Sequence, residues 1–121
     1  MKKAIKLLTL TAIAILSITS TGCNKDEIEN LGTLKVLYKF FKNGEISECK
    51  FHEQTVYCAG LNAYDAGSVV YDKSGKIIGS CNYAWNNVDS ICMQLTECEV
   101  IYRVKNNIWG LKPVDKYGLN K

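Results

Sequence analysis

Ser68-Val69-Val70-Tyr71-Asp72-Lys73-Ser74-Gly75-Lys76-Ile77-Ile78-Gly79-Ser80-Cys81 is the stretch whose reading decides the fold. Two runs rich in β-branched residues flank a polar segment that ends in glycine, and that pattern is a β-hairpin. Asp72 belongs to the turn, where its short carboxylate can accept from backbone N–H groups just ahead of it. Upstream, Ile46–His52 and Thr55–Ala59 read as a second hairpin, with Glu53-Gln54 as its turn. Downstream, Glu97–Lys105 alternates: Cys98, Val100, Tyr102 and Val104 fall on one face, and Glu99, Ile101 and Arg103 on the other. Ser90–Thr96 reads as a short helix, and the tail from Asn106 is expected to lie over the sheet.

Before the strands, Leu31, Leu34, Leu37, Tyr38 and Phe41 recur at helical spacing. Asn30 is a plausible N-cap and Asn43-Gly44 a plausible stop. Strand alternation through Leu34, Val36, Tyr38 and Phe40 competes with this reading. One N-terminal helix followed by roughly five strands gives an α+β fold, the helix packed on an antiparallel sheet. The expected organisation is a leader over 1–22, a tether over 23–30 and a single small domain over 31–121.

The leader rests on Met1-Lys2-Lys3-Ala4-Ile5-Lys6, a basic start, followed by an apolar run from Leu7 to Ile18. The run is about half of what a bilayer-spanning helix needs. A basic start and a short apolar run make a signal peptide. Thr19-Ser20-Thr21-Gly22-Cys23 resembles the lipobox of bacterial lipoproteins of the Bacteroidetes type, with Ser20 where leucine is common. The resemblance implies acylation of Cys23 and cleavage before it. Lys25-Asp26-Glu27 resembles the export tag of surface-displayed members, so the expected address is the outer membrane, anchored by lipid. The cell surface is expected over the periplasmic face. The order of elements, with Gln54-Thr55-Val56-Tyr57, Val70-Tyr71-Asp72-Lys73-Ser74-Gly75 and Ile108-Trp109, resembles short lipoproteins of that type classed as a domain of unknown function. That likeness implies the architecture and the address, and no activity.

The chain carries a formal charge of +3, from 15 basic and 12 acidic residues. Lys2, Lys3 and Lys6 would leave with the leader, and the remainder balances. Without a basic field, nucleic-acid binding is not expected. Setting Cys23 aside leaves Cys49, Cys58, Cys81, Cys92 and Cys98, which in a small exported domain points to disulfides with one cysteine over. The Glu53-Gln54 turn would set Cys49 opposite Cys58 as a non-hydrogen-bonded pair, close enough to bridge. Cys81–Cys92 is favoured as the second bridge, leaving Cys98 over, with Cys81–Cys98 as the alternative.

Little in the chain suggests catalysis. His52 is the sole histidine and sits at a turn. Asp65, Asp72, Asp89, Glu97 and Glu99 are scattered, without the paired carboxylates of a glycosidase. No metal-ligand spacing, phosphate loop or nucleophile elbow occurs. No enzyme, cofactor or metal is therefore expected.

Two sites remain. Asn82-Tyr83-Ala84-Trp85-Asn86-Asn87 sets aromatics among amides, which suits a sugar or peptide through Tyr83, Trp85 and Asn86. The competing reading, which is favoured, turns both rings inward to complete a small core. Asp89-Ser90-Ile91 resembles a protein O-glycosylation acceptor at Ser90, although Ser90 would also serve as an N-cap. The leading expectation is a lipid-anchored module that binds a protein or glycan. A small inhibitor of an extracellular enzyme and a structural envelope component are the alternatives. Metabolic palmitate labelling checks the anchor: the wild type should carry label and Cys23→Ser should not.

Overall fold

The computed structural model describes residues 28–121. The expected leader and Cys23 lie outside the described residues. The domain is α+β and disulfide-braced, with one α-helix among the described residues, α1 (Leu31–Phe41), and a sheet of seven strands rather than about five. The strands are β1 (Glu45–Phe51), β2 (Gln54–Gly60), β3 (Ser68–Asp72), β4 (Ile77–Asn82), β5 (Asn87–Val88), β6 (Thr96–Arg103) and β7 (Val114–Asp115). Their order is β5-β4-β3-β2-β1-β6-β7, every neighbouring pair antiparallel. The two additional strands have two residues each, too short to show periodicity. The helix precedes the strands but is not N-terminal in the chain, since it starts at residue 31.

Leu34, Leu37 and Phe41 line the buried stripe of α1 at i, i+3 and i+7. They meet Ile46, Tyr57, Ala59, Ile101 and Tyr102 in a helix-side layer. Asn30 stands at the N-cap in a left-handed conformation (φ 59°) and makes no side-chain cap. Its Nδ2 instead donates to Tyr57 Oη at 3.1 Å, so the amide is used between helix and sheet. Thr33 Oγ1 donates to Lys73 O at 2.7 Å, which sets the start of α1 beside the β3–β4 turn. That turn is built as expected: Asp72 Oδ1 accepts from Ser74 N, Ser74 Oγ and Lys76 N, and these bonds hold its carboxyl below the usual range.

The opposite face of the sheet carries Cys49, Val56, Val70 and Cys81, covered by Ile91. Ile91 sits on a 3₁₀ turn, Ser90–Met93, where a longer helix was expected. Gly79 makes the seat possible, because a Cβ there would overlap Ile91 Cγ2.

The first hairpin departs from its expected register. His52 and Glu53 form the turn, both with positive φ (51° and 64°), and Phe51 faces Gln54. A two-residue turn with both central residues left-handed matches strand twist, and here it forms without the usual Asn-Gly. Moving the turn back by one position moves every partner by two. Cys49 therefore faces Val56, Cys58 faces Ser47, and the expected Cys49–Cys58 bridge is absent. Cys49 bonds Cys98 on β6, and Cys81 bonds Cys92. Among the described residues Cys58 is the free cysteine, not Cys98.

The alternation read into β6 is broken by two irregularities. Between the pairs Lys50↔Thr96 and Glu48↔Glu99, β6 spends two residues against one, with Glu97 left-handed (φ 49°). That bulge sets Cys98 against Cys49. A second irregularity, opposite Ile46 and Ser47, sends both Ile101 and Tyr102 into the helix-side layer. The tail adds β7 to this edge and then packs Tyr117 and Leu119 against the same layer.

Burial is the first cause that pushes the phenols of Tyr102 and Tyr117 up to about 12 from 10.0. Tyr38 adds to it at Tyr102, and at Tyr117 the Glu48 carboxylate that accepts its hydroxyl at 2.7 Å. A raised acid pKa means the fold favours the neutral phenol. The associated stability is present below pH 10.0 and is lost as pH rises towards 12. Urea unfolding midpoints should hold to about pH 10 and fall steeply above it. Tyr117→Phe should cost about 1 kcal/mol at neutral pH and make the alkaline fall shallower.

Candidate binding groove

Strand directions put the chain's entry at Ile28 and the β3–β4 turn at one end of the sheet. At the other end α1 stops, and three connections meet there: 61–67, 83–86 and 104–113. Polar side chains tie them together. Ile108 N donates to Asn62 Oδ1 at 2.8 Å, and Asn82 Nδ2 donates to Asp65 O at 3.2 Å. Asn107 is buried and organises the third connection from within. Its Nδ2 donates to Val104 O and Leu111 O at 2.8 and 2.9 Å, and its Oδ1 accepts from Leu111 N at 3.0 Å. A buried amide satisfied on both sides holds an irregular loop in one shape.

These loops project apolar side chains into solvent. Tyr64 is 79% exposed, Tyr83 62%, Trp85 70% and Trp109 38%, with Leu61 and Leu111 half exposed. Tyr83 and Trp85 therefore do not fold inward, which overturns the favoured reading of the 82–87 loop. The reason is local. Asn82 Oδ1 accepts from Trp85 N at 3.2 Å, and Asn86 N donates to Tyr83 O at 3.2 Å. The resulting 3₁₀ turn, Tyr83–Trp85, closes on itself and leaves its rings outside. Asn86 serves as its left-handed end (φ 58°).

A shallow groove of about 400 Å³ runs between the loops. Tyr64, Tyr83, Leu61, Ile108 and Trp109 wall it, and Cys58, Ser47 and Ser68 are at its base. Trp85 and Asn86 lie outside the lining, so of the three residues read as a contact loop only Tyr83 joins it. Tyr64 and Trp109 were not anticipated, since nothing in their local sequence shows that they meet. The Cys58 thiol donates to Ser68 Oγ at 3.3 Å. Burial pushes this thiol up, the Ser68 bond pulls it down, and the Glu45 carboxylate adds to the rise.

A second groove, about 580 Å³, lies on the other side of the same end and includes Tyr38, Lys42, Tyr102, Arg103, Lys105 and Asp115. Most of its polar groups are already used. Tyr38 Oη donates to Asn120 Oδ1 at 2.7 Å and Tyr102 Oη to Lys42 O at 2.6 Å. Asp115 accepts from Leu119 N and Asn120 N, and Arg103 Nε pairs with Glu45 Oε2 at 2.5 Å. The larger groove is thus a tail-packing seam, and the smaller one is the better candidate for a ligand.

Elsewhere the expected chemistry stays apart. His52 is at its turn, its ring tilted 39° against that of Phe51 with centroids 4.1 Å apart. Ser90 is exposed, and Asp89 rather than Ser90 holds the N-cap position of the 3₁₀ turn. Asp89 Oδ2 accepts from Ser80 N at 2.8 Å, tying that turn to β4. Among the described residues, no group of three or more His, Cys, Asp or Glu is placed to hold a metal ion, and no helix is long and apolar enough to cross a membrane. Comparison of the chain with known protein families, with curated proteins and with solved structures returned no match.

The disulfides give a direct check. Cleavage after Lys50 by trypsin and after Glu97 by a glutamate-specific protease, without reduction, separates Cys49 from Cys58 and Cys92 from Cys98. Mass mapping should join Cys49 to Cys98 and Cys81 to Cys92, with Cys58 alone among the described cysteines taking iodoacetamide. Because its thiol is pushed up, alkylation at neutral pH should be slow and should accelerate as pH rises.

Proposed function

We propose that the chain is an exported, lipid-anchored, non-enzymatic binding module that meets its partner at the loop end of the sheet. The lipobox-like Thr19–Cys23 stretch supports the anchor, and the charged Lys25-Asp26-Glu27 segment supports display at the outer membrane surface. The observation that carries the binding reading is the placement of exposed apolar side chains. Single exposed apolar residues are ordinary on any protein surface. Among the described residues, six of the ten large ones stand at one end: Leu61, Tyr64, Tyr83, Trp85, Trp109 and Leu111. They come from three connections, and that end is the one away from the chain's entry. An anchor at Cys23 would thus hold the entry end towards the membrane and leave the aromatic end facing outward. Aromatic side chains in a partly walled groove are the usual anchors of an interface.

A loop cluster tied by Asn62, Asn82 and the buried Asn107 would also suit a small enzyme inhibitor, since a preorganised surface loses little entropy on binding. Ser90 stays a proposed glycosylation site, exposed as an acceptor must be.

Photo-crosslinking in intact cells tests the reading. A photoreactive residue at Tyr83 should capture a discrete partner, and the same residue at Glu53 in the β1–β2 turn should not. Equal capture from both positions, or none from Tyr83, would sink the proposal.

A further inference from the structure

The groove at the loop end has an unbalanced charge. Two carboxylates line it, Glu45 and Asp65, and no lysine or arginine does. Glu45 is neutralised from outside by Arg103 Nε at 2.5 Å, and Arg103 is turned away by a second bond to Lys112 O at 3.2 Å. Asp65 has no such relief. Its backbone carbonyl accepts from Asn82, but among the described residues its carboxylate has no ion-pair or hydrogen-bond partner. Beside it stand the rings of Tyr64, Tyr83 and Trp109. Aromatic faces carry the negative lobe of the ring quadrupole, so rings and carboxylate share one sign of field.

Resting on the binding reading above, we infer that this groove receives a basic side chain, lysine or arginine, presented by an apolar segment of a protein partner. Charge complementarity selects the cation: an ammonium or guanidinium over the rings gains cation–π attraction and meets an exposed carboxylate that has no partner of its own among the described residues. An anionic sugar or acidic peptide would meet only repulsion there. The surroundings select a protein over a free amine. Trp85 and Leu111 are exposed outside the groove at the same end, 70% and 50%, and a small amine would leave both uncovered. The neighbouring groove adds a second condition, because the ammonium groups of Lys42 and Lys105 stand there. A polybasic partner would be repelled by them. The fitting surface therefore has a single cation, apolar flanks and acidic residues further out.

The test uses the full-length protein in mild detergent with four probes. These are the blocked peptides Leu-Lys-Leu-Glu and Leu-Gln-Leu-Glu, a neutral N-acetylglucosamine hexamer and a neutral glucose hexamer. Two signals report occupancy: quenching of tryptophan fluorescence and protection of Cys58, at the groove base, from iodoacetamide. The lysine peptide should protect Cys58 and the glutamine peptide should bind about tenfold more weakly or not at all. Asp65→Asn should reduce protection by the lysine peptide about tenfold with an unchanged thermal midpoint, because asparagine tolerates the left-handed backbone at this position (φ 61°). Equal binding of the two peptides, binding of a neutral hexasaccharide in preference, or full protection in Asp65→Asn would overturn the inference while leaving a binding groove. Protection by none of the probes would overturn it too, and crosslinking from Tyr83 would then decide whether the groove binds anything.

Discussion

β1 is the strand on which both layers of this domain depend, and its register is pinned by the bond between Cys49 and Cys98 across the bulge in β6. Side chains alternate along a strand, so a slip of one residue would exchange the helix-side and opposite faces. With the register held, Ile46 points to α1 and Cys49 to the layer under Ile91. The bulge shifts phase on β6, which lets Ile101 and Tyr102 both reach the helix side. In a domain of this size each buried side chain is a large share of the core. A covalent tie at the point where the ladder is irregular secures what hydrogen bonds alone would hold least well.

Much of this was legible in the sequence, and the exceptions share a cause. The Ser68–Cys81 hairpin and the amphipathic α1 are local patterns, and local patterns survive in the structure. The Cys81–Cys92 bond could be anticipated because it spans a short loop. The Cys49–Cys98 bond could not. It depends on a turn that takes left-handed His52 and Glu53 without glycine, and on an extra residue at Glu97 that no periodicity announces. The two-residue strands β5 and β7 exist only because longer neighbours offer them an edge.

The groove shows the same division. Tyr83 was visible as an aromatic among amides, but whether it faced in or out depended on a 3₁₀ turn closing through Asn82 and Asn86. Tyr64 and Trp109 belong to connections far apart in the chain, joined by Asn62 and by the buried Asn107. An asparagine acting as an internal scaffold looks in sequence like any other loop asparagine. The odd cysteine count did announce a free thiol, while its identity followed from the register of the first hairpin.

The ends of the sheet have a consequence of their own. A protein held by an acyl anchor is confined to two dimensions, where neighbours meet at high local concentration. Open sheet edges in such a layer would template strand pairing between copies. Here β5 closes one margin with only two residues, and Asp89 bonds to Ser80 just beyond it. The other margin has β7, the left-handed kink at Glu97, and the Lys116–Glu99 ion pair at 2.9 Å. Both margins are thus short, bent or charged. On the proposed anchor, crowded copies would stand side by side without zipping together, and the loop end of each would stay free.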